Sequence, residues 1–216
     1  MTKKKFKILF LANRPSYGTE AATVTEYLDS LHKYSINDVL EISMLHYFPK
    51  RIELDRFDVV LLHYSLSLGP MINHYLGADL ISRLKKFKGL KAAFLQDEYR
   101  EIKTYWKHIN ELGIDLLFSC VPVSEIPKVY PASEVPKLRV VNVLTGYVPE
   151  ELIHFPALPV SQRKVDVGYR TRKPPFWLGE LGYEKWRIAE DFKKHAQGTD
   201  LVVDLSTSEG DRLYGK

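Results

Sequence analysis

The sequence predicts an α/β protein built on a Rossmann-like, doubly wound parallel sheet. Three observations carry this expectation. Short apolar runs recur at Phe6–Ala12, Phe57–Tyr64 and Ala92–Leu95, and uninterrupted apolar runs read as strands buried on both faces. Each run ends in a polar turn, which is followed by apolar residues at helical spacing. Strand and helix alternate along the chain, the pattern that selects a parallel sheet with helices on its faces.

The elements follow in order. Phe6–Ala12 is a strand, rich in aromatic and aliphatic residues and free of breakers. Asn13–Gly18 is a polar loop, and Thr19 or Glu20 opens a helix through about Tyr34, with Val24, Leu28 and Leu31 on one face. That loop lacks the three glycines of a dinucleotide fingerprint, so NAD or FAD is not expected. Val39–Met44 is a second strand and Phe57–Tyr64 a third. Gly69-Pro70 then leads into a helix through Phe87. Lys91–Gln96 is the fourth strand, Tyr99–Leu112 its helix, and Gly113 the helix stop. Ile114–Ser119 is a fifth strand, Ser124–Tyr130 a short helix broken by Pro127, and Leu138–Leu144 a sixth strand.

Pro149–Ser161, with three prolines and no periodicity, is expected to link two units, with the boundary at residue 158. In the second unit, 159–216, Lys164–Arg170 and Leu201–Leu205 are strands and Gly179–His195 a helix. Two strands and one helix do not bury a core alone. This unit is therefore expected either to pack on the first or to be the incomplete start of a larger domain.

Of the 216 residues, 45% are hydrophobic and 27% charged, the composition of an ordinary soluble globular chain. The net charge of +4 is concentrated in local runs such as Lys3-Lys4-Lys5. Basic residues do not interleave with an aromatic stripe, so no nucleic-acid role is expected. The single cysteine, Cys120, excludes an internal disulfide framework and a zinc cluster, and its apolar neighbours suggest a buried thiol. No apolar stretch has the length of a signal-peptide core or a transmembrane helix, which points to the cytoplasm. P-loop, zinc-protease and nucleophile-elbow motifs are absent.

In open α/β sheets, ligands sit outside the carboxyl ends of the strands, where strand order reverses. The residues there are therefore the candidates: Ser16, Tyr17 and Gly18 after the first strand, His63 and Tyr64 after the third, Gln96, Asp97, Glu98 and Tyr99 after the fourth, Gly146 and Tyr147 after the sixth. Asp97 and His63 are the groups able to take a proton. Each has a plainer alternative. Asp97 or Glu98 could cap the following helix, and His63 could be satisfied by a neighbouring backbone group. Arg170, Arg172 and Lys173 lie in and after the second unit's first strand, where Arg offers a donor fork to phosphate oxygens. A solvated basic loop is the alternative.

Lys7–Ala12 with its polar loop and helix, the Phe57–Tyr64 strand and the strand end Phe94–Tyr99 resemble the N-terminal half of GT-B glycosyltransferases. The closest likeness is to the glycosyltransferase-4-like and group 1 enzymes of surface-polysaccharide synthesis. Asp166–Arg170, Pro174–Gly182 and Glu209–Gly215 resemble the opening of the same enzymes' second domain. The resemblance implies an N-terminal domain that holds the acceptor and a C-terminal domain that holds a nucleotide sugar, with metal-independent catalysis and no cofactor beyond the co-substrate. It implies acceptor contacts from Ser16, Tyr17, Gly18, Tyr64, Gln96, Glu98, Tyr99, Gly146 and Tyr147. Asp97 and His63 would be the catalytic candidates, and Arg170, Arg172 and Lys173 would meet the donor diphosphate. The acceptor would be a glycan or a lipid-linked molecule, and basic residues would allow peripheral contact at the inner face of the membrane. The acidic donor-binding motif of these enzymes is not found before Lys216. The other function class left open is a non-catalytic Rossmann-like binding module or partner subunit.

Overall fold

The structure, a computed structural model, describes residues 4–16, 22–144, 146–154 and 156–211. Six parallel strands form the main sheet: β1 (Lys7–Ala12), β2 (Asp38–Ser43), β3 (Val59–Leu62), β4 (Leu90–Phe94), β5 (Leu116–Ser119) and β6 (Arg139–Asn142). Their order is β2-β1-β3-β4-β5-β6. The protein is thus an α/β chain with a Rossmann-like, doubly wound sheet, as the alternation of apolar runs and helical segments predicts.

Strand periodicity assigns the two faces. Leu9, Leu11, Val60, Leu62, Ala93 and Leu117 point to one side. There they meet α2 (Ile72–Lys86) and α3 (Ile102–Leu112) through Leu76, Leu80, Leu84, Tyr105, Ile109 and Leu112. Ile8, Phe10, Ala12, Leu61 and Ala92 point to the other side, onto Leu28 of α1 (Ala22–Tyr34). Each fully buried leucine contributes about 1.5–3 kcal/mol, so the richer face anchors the domain.

Helix ends follow local chemistry. Gly113 takes a left-handed φ of 68°, its N–H bonds to Asn110 O, and Ile114 N–H bonds to Ile109 O. This paired closure is what a glycine after a helix permits. The aliphatic stem of Lys91 is buried, and its Nζ reaches the carbonyls of Leu84 and Phe87 at the end of α2. A cation there suits the negative end of the helix dipole.

Two local expectations are corrected. The helix before Lys86 is not continuous. Gly77 adopts φ 66° and ψ 153°, splitting α2. The carbonyls released by the break are taken up by the loop after β2: His46 N–H bonds to Tyr75 O, and His46 Nδ1 bonds to Asn73 O. Pro127 does not break a helix but sits in the first turn of α4 (Ile126–Val129), where its missing N–H would have no intrahelical partner.

The chain divides into two compact units after Val148, earlier than residue 158 but at the start of the same proline-bearing segment. That segment contains short 3-10 turns at Glu150–His154 and Val160–Gln162. The second unit pairs β7 (Val167–Arg170) with β8 (Val203–Ser206) in parallel, connected through α5 (Gly179–His195). Among the described residues, no helix is long and apolar enough to cross a membrane.

Candidate functional site

Strand order reverses beside β1, because β2 lies on one side of it and β3 on the other. At this switch point the chains leaving β1 and β3 are tied together. Asn13 N–H donates to Ser65 Oγ at 2.9 Å. Ser65 N–H donates to His63 Nδ1 at 3.2 Å, and Ser65 Oγ lies 2.9 Å from the same nitrogen. His63 therefore caps the short turn Tyr64–Leu66. Because Nδ1 accepts, the ring proton sits on Nε2.

His63 is 1% exposed, and its Nε2 has no hydrogen-bond partner among the described residues. Tyr64 lies against it at 3.9 Å between ring centroids, with Tyr27 at 5.5 Å and Phe10 at 5.9 Å. Burial lowers its pKa to about 3, because the surrounding rings do not solvate an imidazolium. Burial likewise raises the pKa values of Tyr27 and Tyr64, which remain phenols.

β4 leaves the sheet next to β3, and its exit carries the polar cluster. Gln96 is half-buried; Asp97 is exposed, with a left-handed φ of 59°. Asp tolerates that region better than most residues. Glu98 Oε1 accepts from Ser119 Oγ at 2.7 Å and from Tyr130 Oη at 2.5 Å. Glu98 thus ties the β4 exit to β5 and to Tyr130, the residue that closes α4, while Tyr99 is 65% exposed. Neither Asp97 nor Glu98 caps α3. Its N-cap is Glu101, which makes no side-chain capping bond. Ser16 is exposed, and Tyr17 and Gly18 lie outside the described residues.

Gly146 and Tyr147 do not join this group. The segment after β6 turns along the α1 flank, where Tyr147 Oη bonds to Tyr34 Oη at 2.7 Å. Both residues line a cavity of about 340 Å³ with Phe10, Tyr27 and Phe94. Strand-end position alone suggested a place at the crevice, but the aromatic surface of α1 draws this segment sideways. Cys120 is half-buried rather than enclosed.

In the second unit, Arg170 is engaged. Its Nη2 meets Asp204 Oδ2 and its Nη1 meets Asp204 O, both at 2.7 Å. Lys173 Nζ lies 5.2 Å from the Trp186 ring centroid, and Arg172 is exposed. Among the described residues, no three His, Cys, Asp or Glu side chains group as metal ligands.

Several participants escaped sequence reasoning. Ser65 and Asn13 act through backbone-directed bonds that leave no motif. Tyr27 shares a helix face with Val24 and Leu31, so helical spacing could have found it. Arg14 forks onto Glu41 at 2.6 and 2.7 Å and reaches Asp29 at 2.9 Å, while His32 Nε2 lies 2.9 Å from Glu41. The Glu41 hydrogen bond is the main cause that raises the Arg14 pKa. Burial pushes the Glu41 pKa up, but Arg14 and His32 together outweigh it and hold the carboxylate below its ordinary range. Only 12% of the Glu41 side chain is exposed. Arg14→Met would leave that charge half-paired, and is expected to lower stability by about 2 kcal/mol. A lower urea midpoint at unchanged m-value reads this out.

No protein-family model matches the chain, and no curated protein matches its sequence.

Proposed function

We propose that the protein is a glycosyltransferase of the GT-B type, or the acceptor-side portion of one. It would move a sugar from a nucleotide sugar to a hydroxyl of a glycan or lipid-linked acceptor. What supports the reading is the polar exit of β4 beside the switch point: Gln96, Asp97 and Tyr99 stand next to a strand end closed by His63 and Ser65. Asp97 is the base that takes the acceptor proton, because it is an exposed carboxylate on a constrained backbone. His63 is less suited, with Nδ1 occupied, Nε2 buried and a pKa near 3. Tyr64, Gln96 and Tyr99 orient the acceptor, Glu98 braces the loop, and Arg172 and Lys173, in the loop after β7, are the cations for the diphosphate.

The test is nucleoside diphosphate release from a panel of nucleotide sugars and glycan acceptors in EDTA. Asp97→Asn is expected to lower turnover about 10²-fold or more with an unchanged circular dichroism spectrum, the range of a lost general base. Unchanged turnover would remove Asp97 from the chemistry. The engagement of Arg170 by Asp204 and the enclosure of His63 favour one other reading, a non-catalytic binding module. Nucleotide-sugar binding without turnover supports that reading, and absence of both binding and turnover overturns the glycosyltransferase.

A further inference from the structure

We infer that the cavity on the α1 flank of the sheet is a second site, which binds an uncharged small molecule of one or two fused rings. This site shares Phe10, Tyr27 and Phe94 with the aromatic wall around His63, but it opens on the α1 flank and does not depend on glycosyl transfer. Its walls come from distant parts of the first unit: Phe10 of β1, Tyr27 and Leu31 of α1, Phe94 of β4, and Gly146 and Tyr147 after β6.

Size is the first argument. An apolar cavity of about 150 Å³ holds benzene, and small-molecule sites begin near 300 Å³. The observed volume is about 340 Å³, which leaves room for two rings. Charge is the second. Among the described residues, no Asp, Glu, Lys, Arg or His lines the space, so a charged ligand would lose hydration without gaining a partner there.

Shape is the third argument. Phe94 stacks on Phe118 at 4.6 Å and meets Tyr27 nearly perpendicular at 5.3 Å. Two rings in T-shaped contact thus border the space, and aromatic surface is what a planar ring ligand packs against. Ser30 Oγ donates to Tyr27 O and keeps lone pairs for a ligand hydroxyl or N–H. The segment carrying Gly146 and Tyr147 is tied to α1 through the exposed Tyr147–Tyr34 bond. A methyl added at Gly146 would meet nothing within 4 Å among the described residues outside its chain neighbours, so packed neighbours do not block a large side chain at this lining position.

The test is fluorescence titration of the full chain with 2-naphthol, an uncharged probe of two fused rings. Saturable binding of one probe per chain is expected. Gly146→Trp should weaken binding at least about tenfold, the effect of losing roughly 1.4 kcal/mol, while preserving the circular dichroism spectrum. Leu144 lines the same cavity and is 81% exposed, so Leu144→Ala keeps the fold and should weaken binding about threefold by trimming apolar contact. It decides the matter if the tryptophan variant fails to fold. The sulfonated analogue, 6-hydroxynaphthalene-2-sulfonate, should bind about tenfold more weakly or worse. Non-saturable uptake, or affinity unchanged by these substitutions, would overturn the site. Equal affinity for the sulfonate would overturn the uncharged class.

Discussion

Between pH 6.5 and pH 3, the stability difference between the wild-type protein and His63→Asn is expected to fall by about 4 kcal/mol, nearly all of it from one buried ring. The folded state holds the His63 pKa at about 3, chiefly because the ring is enclosed. The unfolded chain restores it to about 6.5. Below pH 6.5 the unfolded state therefore binds a proton that the folded state refuses, and protonation favours unfolding. The contribution is fully present above pH 6.5 and is lost as pH falls toward 3, at about 1.4 kcal/mol per pH unit. Asn is the suitable replacement, because its side-chain oxygen can accept from Ser65 N–H as caps do but does not titrate. Urea unfolding at half-unit pH steps measures the difference. If it stays level from pH 7 to pH 5, the ring is not held neutral by burial. The same neutrality bears on mechanism: a ring that takes up no proton until about pH 3 is a poor acceptor, which shifts the proposed base to Asp97.

Gly77→Ala is expected to destabilise the protein by about 3 kcal/mol or more. Two costs combine. The backbone at φ 66° and ψ 153° lies in a region essentially restricted to glycine, at about 1–3 kcal/mol for other residues. An added Cβ would also stand 2.3 Å from the backbone oxygen of His46. That oxygen belongs to a loop bonded to Tyr75 O through His46 N–H, so it cannot withdraw without losing the bond. Moving a packed backbone costs about 1–3 kcal/mol more. Gly146→Ala is the matched control, since among the described residues outside its chain neighbours no atom lies within 4 Å of its added methyl. It is expected to stay within about 0.5 kcal/mol of the wild type. Equal urea midpoints for the two variants would show that the break in α2 is not a required feature.

The sequence by itself determined the sheet. Apolar runs such as Phe6–Ala12 and Phe57–Tyr64 have no low-energy place except between two layers, and period-2 geometry then assigns Leu9 and Phe10 to opposite faces. It also determined the stop at Gly113 and the buried stripe Tyr105–Ile109–Leu112, because these are local consequences of backbone freedom and helical spacing. The tertiary structure decided what depends on distant partners. The break at Gly77 appears only when the His46 loop supplies donors for the released carbonyls. The neutral state of His63 needs rings from β1 and α1, and the bond from Asn13 to Ser65 joins residues far apart in the chain. Gly146 and Tyr147 follow a strand end, yet Tyr34 and the aromatic face of α1 hold them on the flank. Periodicity reports which side a residue faces. Which neighbours it meets there, and so its charge and chemistry, is set by long-range packing.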